Sequence, residues 1–223
     1  MKSKSLIIFG LGELAHIAYE YFTHDSDYEV VAFSVDDEYY SKSNFMNVPV
    51  VKFSEIADAY PFSTFDIFIA VGASRMNQDR AELFGRFQNL GYTMASYVSS
   101  RSFVWHNVIV GQNVFVFENN TLQPFTEIQD NCILWSGNHI GHRTIVRANT
   151  FISSHCVVSG YCEIGEYSYL GVNCTINDKV RIAESTLIGS GSVITKETQP
   201  GLIYVGNPAR AVPGKKSSEI IFT

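Results

Sequence analysis

The sequence predicts two structural parts, an α/β domain over residues 1–96 followed by a parallel β-helix over residues 97–223. In the first part, short apolar runs alternate with helical patterns around a glycine-rich turn, as in nucleotide-binding βα units. The second part repeats every six residues, a period that fits neither an amphipathic helix nor a long two-sided strand. The 223 residues are therefore divided between a small α/β domain and a prism of short strands.

The first domain begins with an apolar run at residues 5–9, which we expect to form a buried strand. The turn Gly10-Leu-Gly12-Glu-Leu-Ala15 follows, and a helical pattern covers residues 13–22. A second strand at residues 29–34 ends at the acidic pair Asp36-Asp37. Such a glycine turn places phosphate at a helix N-terminus, and a carboxylate about two dozen residues later hydrogen-bonds a ribose.

The number of strands favours a site for one nucleotide. A third strand is predicted at residues 65–71, before Gly72, with a helical pattern at 77–90 and a last strand near 92–97. A complete dinucleotide domain has about six strands in two halves, and this domain has room for about four. The pattern therefore disfavours an NAD-dependent enzyme. A purely structural alternative is that the glycines only close a βα turn.

The repeat runs from Val98 to about Gln199 in seventeen hexapeptides. Their first positions are all aliphatic: Val98, Val104, Val110, Val116, Leu122, Ile128, Leu134, Ile140, Val146, Ile152, Val158, Ile164, Leu170, Ile176, Ile182, Ile188 and Ile194. The residue four places later is always small or compact. All four cysteines, Cys132, Cys156, Cys162 and Cys174, occupy that position. We therefore expect them to be reduced core residues rather than disulfides or metal ligands.

Three hexapeptides complete one triangular coil, so residues 18 apart stack at about the 4.8 Å spacing of neighbouring strands. The hexapeptides, the rung Ile188-Gly-Ser-Gly-Ser192 and the closing Val205-Gly-Asn-Pro-Ala-Arg210 resemble the left-handed β-helix acyltransferases. With its first domain, the chain resembles the bacterial sugar acetyltransferases that modify sialic acid or nucleotide-linked amino sugars. The resemblance implies a left-handed coil, a Rossmann-like domain for the nucleotide-sugar acceptor, acetyl-CoA as donor, no metal, and a homotrimer.

The resemblance also implies an acceptor site, position by position. Its residues would be Gly12, Glu13, Leu14, Asp36, Asp37 and Gly72. The family has a small residue, glycine and histidine where this chain has Gly12, Glu13 and Leu14, so the side-chain contacts to the acceptor must differ.

The family pattern around its general base falls on Ile140-Gly-His142-Arg143 and Ser159-Gly160. Because His142 and Gly160 are 18 residues apart, we expect an imidazole to stack beside a backbone N–H. Acyl transfer from a thioester needs such a base and such a donor to the oxyanion. The catalytic prediction is therefore His142 and Gly160, with His139 as an alternative base. In the purely structural alternative, these histidines only cap corners of the prism.

Two positions depart from the family pattern. Arg143 replaces the carboxylate that follows the base in the amino-sugar enzymes, so another group must orient His142, or Arg143 contacts the acceptor's phosphates or a carboxylate. Phe151 stands where such enzymes can carry a histidine. His106 should be remote from the acetyl group, and His155 should lie on a separate column with Gly137.

Acetyl-CoA is expected in a groove between adjacent prisms. The positions implied by the resemblance are Gly160, Val172, Ser190, Gly206, Asn207, Pro208 and Ala209. The basic cluster Arg210, Lys215 and Lys216 would either meet the CoA phosphates or remain a solvated tail. Five outward apolar positions are expected to form a surface for the homotrimer: Phe103, Ile109, Phe115, Ile133 and Ile145.

Composition excludes other classes of protein. A net charge of -6 with only 16 lysines and arginines disfavours nucleic acid as a partner. No run approaches the roughly 20 apolar residues of a membrane span, and nothing marks export, so a cytoplasmic protein is expected.

The leading hypothesis is acetyl-CoA-dependent N-acetylation of a nucleotide-linked deoxy-amino sugar in bacterial surface-glycan (lipopolysaccharide) synthesis. The alternatives are sugar O-acetylation of the sialic acid type and a non-catalytic β-helix assembly module that senses a nucleotide.

Overall fold

The computed structural model describes residues 2–221, which divide into two compact units. The first contains the residues up to 72 together with 80–97, and the second contains 73–79 together with the residues from 98 onward. The segment 73–79 was expected in the first domain. It packs with the second unit because Met76 is buried against Leu187 and Ile203. Within residues 2–221, no helix has the length and apolar character needed to cross a bilayer.

The first unit is a small α/β structure. Its elements are β1 (Lys4–Phe9), α1 (Glu13–His24), β2 (Tyr28–Val35), β3 (Asn44–Phe45), β4 (Val48–Lys52), α2 (Ile56–Ala59), β5 (Phe65–Ile69) and α3 (Gln78–Asn89), the last beginning at the edge of the second unit. Short 3₁₀ turns span Asp37–Tyr39 and Phe53–Glu55.

The sheet of this unit has the strand order β3-β4-β2-β1-β5. All neighbouring pairs are parallel except β3 with β4. Phe9 at the end of β1 pairs in register with Ser34 of β2 and Ile69 of β5, so the turns after these strands lie at one edge. The last predicted strand is reduced to a single bridge between Met94 and Ile67.

The second unit is a parallel β-helix of two-residue strands spaced every six residues. They are β6 (Tyr97–Val98), β7 (Phe103–Val104), β8 (Ile109–Val110), β9 (Phe115–Val116), β10 (Thr121–Leu122), β11 (Glu127–Ile128), β12 (Ile133–Leu134), β13 (His139–Ile140), β14 (Ile145–Val146), β15 (Phe151–Ile152), β16 (Val157–Val158), β17 (Glu163–Ile164), β18 (Tyr169–Leu170), β19 (Thr175–Ile176), β20 (Arg181–Ile182), β21 (Leu187–Ile188) and β22 (Val193–Ile194). This confirms the predicted β-helix.

Every third strand joins the same sheet, which gives the prism three faces. The first face runs from β6 through β9, β12, β15 and β18 to β21, and it is extended by β23 (Leu202–Gly206) and β24 (Ala209–Lys216). The second face contains β7, β10, β13, β16, β19 and β22, and the third contains β8, β11, β14, β17 and β20. A 3₁₀ turn at Ser217–Glu219 follows β24.

The interior of the prism is filled by the two predicted rows. From Val116 to Ile194, every first position of the hexapeptides is at most 2% exposed. The four cysteines are also at most 2% exposed, as expected for compact core residues. Val98, Val104 and Val110 are less buried, with Val104 36% exposed, because they belong to the first coil, where the prism begins.

The expectation for the outward apolar positions was partly wrong. Phe103 and Ile109 are 53% and 63% exposed, whereas Phe115 and Ile133 are fully buried. The two buried residues lie on the first face, whose outward side chains are covered along most of its length. Aromatic rings contribute to this packing, since the Phe117 ring lies 4.7 Å from that of Phe115. Phe115 and Ile133 therefore provide no surface for a partner subunit.

Candidate active site

His142 lies on a corner between the second and third faces. We call the stacked turns 105–108, 123–126, 141–144, 159–162 and 177–180 the His142 corner. The imidazole is exposed and lies directly against Gly160 of the next coil. A Cβ atom added to Gly160 would lie 2.5 Å from His142 Cε1 and 2.9 Å from each ring nitrogen. Only glycine at position 160 therefore lets the ring approach the backbone in this way.

A second glycine brings the two turns together. A Cβ atom on Gly141 would lie 2.5 Å from the Ser159 carbonyl carbon and 2.6 Å from the Gly160 nitrogen. The Gly160 carbonyl accepts a hydrogen bond from Lys179 N–H at 3.0 Å, while the Gly160 N–H meets no acceptor among residues 2–221. The structure thus brings together the imidazole and the amide that the 18-residue spacing predicted to stack.

Gln123 is the neighbour of His142 that the sequence did not reveal. Its Oε1 lies 2.9 Å from the backbone nitrogen of His142 and 3.3 Å from His142 Nδ1. The Tyr161 ring meets the imidazole edge to face, with centroids 5.1 Å apart. Gln123 precedes His142 by 19 residues, which is one coil of 18 residues plus one. This spacing could have identified Gln123, since its side chain then faces the turn of the next coil.

Arg143 does not replace the missing carboxylate as a partner of the imidazole. Its guanidinium lies 4.4 Å from the centroid of the Phe125 ring, a cation–π contact across one coil. Its backbone has a φ of 58° and donates a hydrogen bond to the Pro124 carbonyl. The exposed guanidinium belongs to the same corner as His142, next to the imidazole along the chain.

The other histidines of the β-helix lie elsewhere. His139 is in β13 on the second face, paired in register with Thr121 and Val157. His155 lies against Gly137, whose added Cβ would be 2.6 Å from His155 Nδ1. His106 is exposed at the first turn of the His142 corner, beside the Trp105 ring. His155 therefore also packs against a glycine, but the Gly137 N–H donates to the Glu118 carbonyl at 3.0 Å, whereas the Gly160 N–H has no acceptor in the described part of the chain.

The residues predicted to bind acetyl-CoA lie on two different corners of the prism. Gly160 is on the His142 corner, whereas Val172 and Ser190 lie on the corner between the first and second faces. Within one chain, the whole second face separates them. Gly206, Asn207, Pro208 and Ala209 form the tight connection between β23 and β24. Ala209 and Arg210 line a cleft of about 260 Å³ together with Lys196 and Tyr204.

All four cysteines are at most 2% exposed and so offer no accessible nucleophile, including Cys156, whose pKa is lowered by the hydrogen bond with Cys174. Burial raises the pKa of the Cys162 thiol. The hydrogen bond with Cys156, together with burial, raises the pKa of Cys174. Because only thiolates are good nucleophiles, these two core thiols are unreactive at neutral pH. Among the described residues, no group of three or more His, Cys, Asp or Glu is placed to hold a metal ion.

In the first unit, the two glycines of the predicted acceptor turn differ. Gly10 has a φ of 122°, and an added Cβ would lie 2.8 Å from the Ala70 carbonyl oxygen, so the turn itself requires this glycine. Gly12, which precedes the first residue of α1, has ordinary backbone angles, and an added Cβ would meet nothing within 4 Å. The same open space surrounds Gly72, whose carbonyl accepts a hydrogen bond from buried Arg80. The conformation of the turn therefore explains why position 10 is glycine, but it does not explain the glycine at position 12.

The acidic pair after β2 borders an open cleft of about 570 Å³. Its lining residues are Asp36, Asp37, Glu38, Phe53, Ser54 and Arg86. Asp36 forms an ion pair of 2.5 Å with Arg86, whose guanidinium lies 3.9 Å from the Phe53 ring centroid. Hydrogen bonds from the Ser54 hydroxyl and backbone N–H lower the pKa of Asp37. Phe53 and Arg86, which the sequence did not indicate, therefore belong to this cleft.

No family model matches the sequence. The chain is similar in structure to the acetyltransferase domain of PglB from Neisseria gonorrhoeae, with 21% identity and a TM-score of 0.83 over 94% of this chain and 100% of that one. It is also similar to PerB from Caulobacter crescentus, solved with CoA and GDP-perosamine, with 21% identity and a TM-score of 0.82 over 93% of this chain and 97% of that one. WeeI from Acinetobacter baumannii AYE gives 18% identity and a TM-score of 0.72 over 94% and 100% of the two chains. At these identities the likeness shows a shared fold, as the hexapeptide pattern predicted.

Proposed function

We propose that this protein is an acetyl-CoA-dependent acetyltransferase that acetylates the amino group of a nucleotide-linked deoxy-amino sugar in bacterial surface-glycan synthesis. The observation that carries the proposal is the His142 imidazole against Gly160, whose N–H has no acceptor in the described chain. The His142 pair differs from His155 and Gly137, because the Gly137 N–H donates to the Glu118 carbonyl. In this proposal the first unit is a Rossmann-like acceptor domain, and the prism is a left-handed β-helix. Similar folds in PerB, solved with CoA and GDP-perosamine, and in PglB, solved with acetyl coenzyme A, support the same reaction class.

The proposed reaction is a direct transfer. The acceptor nitrogen attacks the thioester carbonyl carbon, and the Gly160 N–H stabilises the oxyanion of the tetrahedral intermediate. His142 accepts the proton that the nitrogen loses. The carbon–sulfur bond then breaks, CoA leaves as the thiolate and takes up a proton, and the acetyl group remains in amide linkage. The buried cysteines have no part in these steps.

The acceptor domain would bind the nucleotide at the carboxyl edge of its sheet. The open space at Gly12 leaves room for a phosphate close to the start of α1, where N–H groups lack helical partners. Glu13 and Leu14 would donate from their backbone, and Gly72 would border the same edge. The cleft at Asp36 and Asp37 would take the nucleoside.

Acetyl-CoA would bind between neighbouring prisms in a homotrimer. Such a groove would unite Gly160 of one chain with Val172 and Ser190 of another, which lie on different corners within a single chain. Several apolar side chains exposed on the second face and the His142 corner support this association: Phe103, Trp105, Phe125, Val157 and Tyr161, each 42% to 53% exposed. Sedimentation equilibrium should give three times the 24.9 kDa chain mass, and a monomer at micromolar concentration would contradict the assembly.

Two histidine substitutions test the catalytic assignment. With acetyl-CoA and an accepted sugar, His142→Ala should lower kcat by about 10²- to 10⁴-fold, the range expected for loss of a general base. The matched control is His139→Ala, three residues earlier on the second face, which should retain near-normal kcat. Near-normal turnover by the His142 variant would exclude it as the base.

The acceptor is tested with a panel of nucleotide-linked amino sugars incubated with acetyl-CoA. We expect release of free CoA thiol together with an acetylated product seen by mass spectrometry. The panel should also contain hydroxyl acceptors, among them sialic acid. If a hydroxyl acceptor is acetylated and no amino sugar is, the proposed N-acetyltransferase activity is wrong and the O-acetyltransferase activity takes its place. No turnover at all, together with nucleotide binding by the first unit, would favour a non-catalytic nucleotide-sensing module.

A further inference from the structure

The Gln123 side chain lies where it can control which nitrogen of His142 is basic. Gln123 is on the coil below His142, and its side-chain oxygen faces both the backbone N–H and the Nδ1 of that residue. A backbone N–H can only donate, so the amide atom 2.9 Å from it must be the carbonyl oxygen and not the NH₂ group. The backbone contact thereby determines the orientation of the Gln123 amide.

The amide orientation in turn decides which tautomer of the imidazole can form a hydrogen bond with Gln123. Gln123 Oε1 has no hydrogen to donate, so a hydrogen bond across the 3.3 Å to His142 Nδ1 requires the proton to be on Nδ1. In the neutral ring the remaining nitrogen, Nε2, then carries the free lone pair. A glutamine thus performs the orienting task that a carboxylate commonly performs for a catalytic histidine.

The groups around the ring leave this contact without a competitor. On the same turn, the Arg143 guanidinium is held over the Phe125 ring. From the coil above, Gly160 packs over the ring at Cε1, and the Tyr161 and His142 rings meet edge to face. On the coil below, Gln123 and Pro124 are uncharged, so no carboxylate from either adjacent turn of this corner faces Nδ1 within the described structure.

We propose that Gln123 is a positioning residue that holds His142 with its proton on Nδ1 and its basic lone pair on Nε2, without adding negative charge. The catalytic part of this inference depends on the proposed acetyl transfer. The tautomer itself is a property of the free protein and can be measured without substrate.

The first experiment measures the tautomer by long-range ¹H–¹⁵N correlation on histidine-labelled protein at a pH where the ring is neutral. His142→Ala identifies the His142 signals by their loss. We expect a protonated Nδ1 in the parent protein and a shift towards protonated Nε2 in Gln123→Leu. The control is Gln129→Leu, at the same hexapeptide position six residues later, where the amide bonds Glu127 instead. A parent protein with its proton on Nε2, or no change in Gln123→Leu, would overturn the proposal.

The second experiment measures turnover. Gln123→Leu should lower kcat by about 10- to 100-fold, less than complete loss of the base, with KM for both substrates changed less than about threefold. Gln123→Glu should restore most of kcat and move the acid-side fall of kcat/KM to higher pH by about one unit, because a carboxylate favours the imidazolium. Gln129→Leu should match the parent. If both Gln123 variants have the kcat and the pH profile of the parent protein, the catalytic role is overturned. If no acceptor is acetylated, the proposed function fails and the tautomer spectrum alone decides the inference.

Discussion

Most turns of the β-helix contain a residue with a left-handed backbone. From Asn113 to Gly191 this residue recurs every six positions, with φ between 51° and 78°. Asparagine and glycine tolerate this conformation, but Phe125, Arg143, Tyr161 and Lys179 also adopt it. The wide range of residue types explains why the sequence pattern did not reveal the position.

Replacing one strained residue should therefore stabilise the protein. Lys179, exposed with a φ of 61°, is suited to this test, and Lys179→Asn should raise the free energy of unfolding by about 0.5–1 kcal/mol. Lys196→Asn removes the same charge at an exposed residue that lacks a positive φ, and it should be neutral. Urea unfolding measures both variants. Equal effects of the two substitutions would show that charge and not backbone strain is responsible.

A second residue-level prediction concerns pH. Hydrogen bonds from Ser54 lower the pKa of Asp37, so the charged carboxylate favours the folded state. This contribution is present above the unfolded value of about 3.9 and is lost as pH falls through the lower folded value. Ser54→Ala should raise the Asp37 pKa towards its ordinary value, as measured by ¹³C NMR of the carboxyl group. Ser41→Ala, in the same exposed region, should leave it unchanged. An unchanged pKa in Ser54→Ala would show that the hydroxyl contributes nothing.

At the scale of single turns, the small inward position has a polar role that the spacing alone did not indicate. Thr144 Oγ1 bonds the Ser159 carbonyl at 2.9 Å, and Cys156 Sγ lies 3.2 Å from the Gly171 carbonyl oxygen. In both cases the acceptor is 15 residues further along the chain. Threonine, serine and cysteine suit this position because they are compact and can donate to a turn carbonyl of the next coil.

Another corner is held by a ladder of asparagine side chains. Asn113 donates to Asn131, and Asn131 donates to Asn149, each at 2.7 Å. Asn131 is fully buried and has a φ of 61°. Its side chain therefore links three consecutive coils while its backbone adopts the conformation of the turn.

Removing the middle of this ladder should destabilise the prism even though glycine accepts the backbone angle. Asn131→Gly should lower the free energy of unfolding by about 1–3 kcal/mol, because it removes the side-chain hydrogen bonds to Asn113 and Asn149. Asn173→Gly is the matched control, exposed at a φ of 58°, and its effect should stay within about 0.5 kcal/mol. Thermal unfolding compares the two. Similar losses would mean that the ladder adds no stability beyond the turn conformation.

At the scale of the whole chain, the buried thiols report on the integrity of the prism. All four cysteines are free and at most 2% exposed. A thiol reagent such as DTNB should modify fewer than about one thiol per native chain within minutes and all four in guanidinium. The control for complete reactivity is a reduced sample that is denatured in guanidinium without earlier exposure to DTNB. Rapid native modification of several thiols would contradict the packed interior. If the native thiols do not react, DTNB can also measure the CoA thiol released during acetyl transfer without a signal from the protein.

The repeat was enough to predict the β-helix, the burial of its aliphatic row and cysteines, and the stacking of His142 on Gly160. A constant period makes residues 18 apart neighbours whatever their side chains are. The glycine turn and the apolar runs likewise predicted β1, α1, β2, β5 and α3 of the first unit, because βα units have strong local signals, but they did not predict β3, β4 or α2. These predictions needed no knowledge of side-chain conformation.

Only the tertiary structure decided how side chains meet outside that periodic frame. It buried Phe115 and Ile133 on the first face, joined 73–79 to the second unit and placed Arg143 over Phe125. It also brought Gln123 to His142. An outward residue has the same place in the repeat whether it meets solvent or another segment, and a long side chain can bend towards either neighbouring turn. Periodicity determines which backbone positions are adjacent, but packing and rotamers determine which atoms touch.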